Sequence, residues 1–134
     1  NKKFRIKMIK GSNISDRLVQ FSVRIIRLVH SLRSDPVNKH ISNQLLRSGT
    51  SPGANYEEAR GAESTVDFIH KLKVVLKELR ESIYWLKVIE QAKIIPSKRL
   101  IDILREAEEL SNIIGQSIIT AQKNQKLKLV SDRL

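Results

Sequence analysis

Between Val66 and Ile89 two rows of side chains recur at helical spacing on different faces of one segment. Phe68, Leu72, Val75, Leu79, Leu86 and Ile89 step by three and four, with Ser82 in the remaining slot. His70, Lys73, Lys77, Arg80, Tyr84 and Lys87 step in the same way on another side. Side chains three and four apart stack on one side of an α-helix, so the pattern predicts an amphipathic helix with an apolar seam and a basic row. Such a seam needs partner helices to cover it. The segment therefore points to a helical bundle able to hold something anionic.

The rest of the chain supplies those partners. Ile14, Leu18, Phe21, Ile25, Leu28 and Leu32 give a second seam, which predicts a helix over residues 14–33. Val19, Val23 and Ile26 widen it beyond what one neighbour covers, so either the helix is deeply buried or its second face meets another subunit, with these three as the candidate oligomer interface. Asp35-Pro36 closes that helix and opens the next over 37–60, with Asp as cap and Pro in the first turn. Inside it, Ser48-Gly49-Thr50-Ser51-Pro52-Gly53-Ala54-Asn55 reads by propensity as a loop, or else as a kinked helix whose small side chains admit a close neighbour. Ser64 opens a third helix over 64–92, and Ser97 is the predicted cap of a fourth over 97–122. Leu100, Ile103, Leu104, Ala107, Leu110, Ile114 and Ile118 face inward on the fourth. Four amphipathic helices on short links predict an all-α, antiparallel up-down-up-down bundle over residues 14–122.

Charge sets the ends apart. Of the net +11, residues 1–13 hold five basic and no acidic side chains, and residues 123–134 hold four basic and one acidic. The remainder holds 16 basic and 13 acidic, so both ends are expected to be flexible basic arms flanking a nearly balanced bundle. There is no cysteine, which excludes disulfides and thiolate metal sites and fits a reducing compartment. No apolar run approaches the ~20 residues that span a bilayer, and the basic start lacks the apolar stretch of a secretory signal, so a cytoplasmic protein is expected.

Enzymatic chemistry finds little to stand on. A di-iron bundle needs Glu-x-x-His pairs, and the nearest pattern is Asp67-x-x-His70, while His30 and His40 have no carboxylate three residues earlier. Gly49-x-x-x-Gly53 lacks the Lys-Ser/Thr ending of a phosphate loop and reads as a close helix contact. No nucleophile stands with a base. The expectation is no catalysis, no metal, no cofactor and no small-molecule substrate. Glu78 and Glu81 are read with Arg47, Ser51 and Asn55 as a structural polar layer that fixes register between helices. The basic row of Lys73, Lys77, Arg80 and Lys87 is either a solvated face or, joined by Arg17, Arg24 and Arg27, a track for phosphates. Aromatic content of 4% gives base stacking little support, and Tyr84 and Trp85 read as packing residues.

The run Gln44-Leu45-Leu46-Arg47-Ser48-Gly49-Thr50-Ser51-Pro52-Gly53-Ala54-Asn55-Tyr56-Glu57-Glu58-Ala59, with Asp67–Leu72 and Leu76–Leu86, resembles the small bacterial proteins encoded within intervening sequences of 23S ribosomal RNA genes. The resemblance extends over about residues 14–120 and leaves the two arms outside. It implies an antiparallel four-helix bundle with the small-residue run inside helix 2, and a ring-shaped homopentamer. More distantly the chain is similar to the accessory variability determinant of diversity-generating retroelements, a basic pentamer that binds nucleic acid and a reverse transcriptase. The expectation drawn from residues and resemblance together is a non-enzymatic homo-oligomer that binds RNA or DNA through phosphates without sequence specificity. The alternative is a protein-interaction scaffold with no nucleic-acid role.

Overall fold

Local signals fix the helix ends. In a computed structural model of the chain, which describes residues 2–134 and side chains from residue 13 onward, helices run over Lys2–His30 (α1), Pro36–Arg60 (α2), Thr65–Gln91 (α3) and Ile101–Arg133 (α4). The Asp35 carboxylate accepts from the Asn38 amide at 2.8 Å, and Pro36 occupies the first turn, where its missing N–H removes a donor that has no intrahelical partner. Ser64 caps α3 by accepting from the Asp67 amide at 3.0 Å. Lys93, at φ 57°, takes the left-handed conformation that turns the chain out of α3, and the Ile94 amide reaches back to the Ile89 carbonyl.

Contacts rise along one helix as they fall along the next, which is the mark of antiparallel packing. Ile25 meets Gly49 and Leu18 meets Gly53 between α1 and α2, and Arg60 donates to Ser15 at the far end. Between α2 and α3, Ser48 faces Ser82 and Glu58 pairs with Lys71. Each helix packs on its sequence neighbours and α4 closes back on α1, so the chain is an antiparallel four-helix bundle with α1 and α3 across the diagonal. Leu18, Phe21, Ile25, Leu45, Leu72, Val75, Leu79, Leu86, Ile89 and Leu110 are fully enclosed in one core.

Three boundaries differ from the sequence expectation, the first at α1, which begins at Lys2 and not near residue 14 behind a flexible arm. Of its two readings the small-residue run takes the helical one: α2 passes through Pro52, which is buried, and Gly49 lies against Ile25 of α1 where a side chain would not fit, with Gly53 in ordinary contact range of Leu18. Ser97 begins a short 3-10 turn, Ser97–Arg99, and α4 starts after Leu100 with no side chain capping it. Residues 123–133 continue α4 as exposed helix past its last buried residue, Ala121, in place of a loose tail. The basic side chains of the 1–13 arm up to residue 12 lie outside the described residues. No described helix is long and apolar enough to cross a membrane.

Candidate nucleic-acid interface

The helical steps that define the two basic rows do place them on coherent faces, but the bundle separates the rows. Since α1 and α3 are diagonal, Arg17, Arg24 and Arg27 cannot join Lys73, Lys77, Arg80 and Lys87 on one surface as the sequence spacing predicts. The structure places Arg24 and Arg27 in one groove and Lys73, Lys77 and Arg80 in another, one on each flank of α4, and leaves Arg17 and Lys87 outside both.

The α3–α4 groove encloses about 460 Å³. Its floor is Leu76 and Ile118, and Lys73, Lys77, Arg80 and Gln122 line its sides. Lys73 and Arg80 have no carboxylate within ion-pair distance among the described residues, and Lys77 reaches Glu78 only at 4.0 Å, with its side chain 75% exposed. Lys126 lies one turn beyond Gln122 on α4, so the cationic line runs past the end of the bundle. Lys87 is exposed on the next turns of α3, outside the groove. Tyr84, between Arg80 and Lys87 on the same row, is 58% exposed and not the packing residue predicted, whereas Trp85 is partly buried against the core.

The α1–α4 groove is smaller, about 240 Å³, and is lined by Arg24, Arg27 and Arg99 over Leu28, Ile95 and Ile103. Arg99 went unremarked in the sequence because its place beside α1 depends on the turn between α3 and α4. Arg17 belongs to neither groove. Its guanidinium turns onto α4, donating through Nε to Glu106 at 3.2 Å and lying 3.0 Å from Glu109. The hydrogen bond to Glu106 raises the Arg17 pKa above the usual guanidinium value against the opposing effect of burial, with Glu109 adding to it. A cation so neutralised is a strut between helices and is withdrawn from the phosphate-contacting set.

The polar layer divides as well. Arg47 bridges α2 to α3 by donating to Glu78 at 3.0 Å and to Glu81. Burial works against the charge on Arg47, yet the two carboxylates hold its pKa above the ordinary value. Ser51 and Asn55 do not reach α3: the Asn55 amide donates back to the Ser51 carbonyl and hydroxyl within α2. The hydroxyls that do meet across the two helices are Ser48 and Ser82, 3.1 Å apart and both fully buried. Ser82 filled the apolar seam's one polar slot, the signal from which that pair was readable. Of the candidate interface residues, Val19 is 53% exposed, Ile26 38%, and Val23 half-buried. Among the described residues no group of three or more His, Asp or Glu side chains is placed to hold a metal ion.

A four-helix bundle with cationic grooves defines a class of small basic helical proteins. Residues 11–116 match the model of the 23S rRNA-intervening sequence protein family, and the chain belongs to that family. Its fold is similar to the crystal structure of a protein of unknown function from the S23 ribosomal protein family of Bacteroides thetaiotaomicron VPI-5482. That similarity has a TM-score of 0.72 at 35% identity and covers 81% of this chain and 97% of that one. No curated protein matches the chain.

Proposed function

We propose that this protein is a non-enzymatic, homo-oligomeric bundle that binds RNA or DNA through phosphate contacts without reading bases. The observation that carries the reading is the α3–α4 groove, in which Lys73, Lys77 and Arg80 stand over an apolar floor and the cations of α4 extend the line. Lysine and arginine ranged along a groove can neutralise successive phosphates, contacts that carry no sequence information. Arg24 and Arg27 supply a second patch on the other flank of α4. The family's link to 23S rRNA intervening sequences supports a nucleic-acid partner and a cytoplasmic setting. Val19 and Ile26 support self-association, because exposed apolar side chains on one helix are best covered by another copy. The ring of five implied by the resemblance is part of this proposal.

A filter-binding titration with RNA and DNA of unrelated sequence tests it. With roughly six to ten phosphate contacts, affinity falls by roughly 10³ to 10⁵ between about 50 and 200 mM salt. Replacing Lys73, Lys77 and Arg80 together by Glu abolishes binding. Absence of binding, or binding indifferent to salt, overturns the reading. The scaffold alternative draws on the same exposed apolar residues of α1, and under it the charge reversals leave partner binding unchanged.

A further inference from the structure

Among the arginines with described side chains, Arg17 and Arg24 are the two that the bundle withdraws most from solvent, and they sit two turns apart on the same face of α1. Arg17 is matched by the carboxylates of Glu106 and Glu109. Arg24 meets the opposite situation: no described carboxylate lies within ion-pair distance, and the groups around it are Arg27, Arg99 and the apolar side chains of Leu28, Ile95 and Ile103. Residues 1–12 contain no Asp or Glu, so the start of α1 brings no counter-charge either. A guanidinium drawn from water beside two like charges is unfavourable unless an anion joins it. The fold supplies one at Arg17 and leaves the place open at Arg24.

We propose that the pocket formed by Arg24, Arg27 and Arg99 between α1 and the start of α4 binds a phosphate monoester dianion, such as the terminal phosphate of a nucleic-acid strand. Its use on a strand rests on the proposed function, whereas its affinity for the phosphate group does not. Three guanidiniums suit a dianion better than the single charge of a phosphodiester, and their planar forks donate paired hydrogen bonds to phosphate oxygens. The pocket is compact, about 240 Å³, where the α3–α4 groove is about 460 Å³, so it suits a chain end more than a continuing backbone. Arg24 is half-buried and Arg27 and Arg99 are exposed at the rim, so the pocket is open to a ligand from solvent. The first turn of α4 opens between Arg99 and Ile103 with no side-chain cap, which adds the positive end of a 33-residue helix to the same place. Asp102, the acid of that turn, does not line the pocket.

Isothermal titration of the full chain with inorganic phosphate tests the pocket directly. Wild type binds, and Arg24→Gln and Arg99→Gln each weaken binding by about tenfold or more. Arg24→Lys, which keeps charge but loses the fork, falls between. Both Gln variants relieve like-charge repulsion, so far-UV circular dichroism and thermal melting show a fold at least as stable as wild type. A competition between 5′-phosphorylated and 5′-hydroxyl RNA of one sequence then separates the sources. A preference for the phosphorylated strand that Arg24→Gln removes supports the strand end, and phosphate binding with no such preference supports the pocket as a site for free phosphate. Phosphate binding that is absent, or unchanged in both Gln variants, overturns the proposal. If it is overturned while replacing Lys73, Lys77 and Arg80 together by Glu still abolishes binding of the 5′-hydroxyl strand, the groove reading stands without the pocket; if strands fail to bind but phosphate does, the reverse holds.

Discussion

A carboxylate taken out of water must be matched, and Glu78, 7% exposed between α2 and α3, is matched by Arg47. The pair is lopsided: the Arg47 side chain keeps 51% of its exposure and that of Glu78 keeps 9%. Solvent around the guanidinium screens the attraction, so the net gain from the pair is modest. The loss of the arginine is the costly event, because it leaves a buried charge alone. Arg47→Ala should therefore lower stability by about 1–3 kcal/mol, and Glu78→Gln should restore part of it in the double variant. Urea unfolding of the two single variants and the double variant measures this. Losses that simply add would show that the two side chains are uncoupled. Part of this layer was legible from Glu78, Glu81 and Arg47 lying on facing helices. The pairing of Arg17 was not, since Glu106 stands 89 residues away and helical periodicity says nothing about which distant face an outward residue will meet.

At the level of the element, α2 shows why propensity misjudged a helix. Serine, glycine and proline favour loops when a segment is considered alone. Here they are the residues that let α1 approach: a Cβ built on Gly49 falls 2.7 and 2.8 Å from the γ carbons of Ile25, while one on Gly53 has nothing nearer than 3.6 Å. Ile25 is fully buried and β-branched, so its side chain has little freedom to swing aside. Gly49→Ala should overpack the α1–α2 contact at about 1–3 kcal/mol, partly offset by the about 1 kcal/mol that alanine contributes to a helix. Gly53→Ala receives the helix gain without the clash, and its melting temperature should rise while that of Gly49→Ala falls. Equal shifts in the two melts would contradict the packing that makes this segment helical. The seams of α1, α3 and α4 were legible because a 3.6-residue period shows in any sequence that buries one stripe. The interior of α2 was legible only as one of two readings, a close helix contact against a loop, because small residues decide between them only once the neighbour is known.

For the whole molecule the question is where a net charge of +11 can be tolerated. Copies of a strongly basic chain repel one another, so association needs an apolar patch placed away from the cations or an anion shared between them. The α1 patch offers the first: Val19 is 53% and Ile26 38% exposed, and neither lines the two basic grooves. Since neither is part of the enclosed core, glutamate at both positions should leave helicity and unfolding midpoint close to wild type. Under the proposed assembly, light scattering should find wild type well above the single-chain mass and Val19→Glu/Ile26→Glu at the single-chain mass. The same variant carries its grooves intact but only one of each per particle, so it should bind long RNA or DNA more weakly by roughly 10² or more through lost multivalency. On a strand too short to reach a second groove, the two proteins should bind alike. That comparison separates assembly from the binding surface, because a damaged groove weakens both strands equally. A wild-type chain already at single-chain mass would remove the oligomer and leave each bundle to hold phosphates with the grooves of one chain.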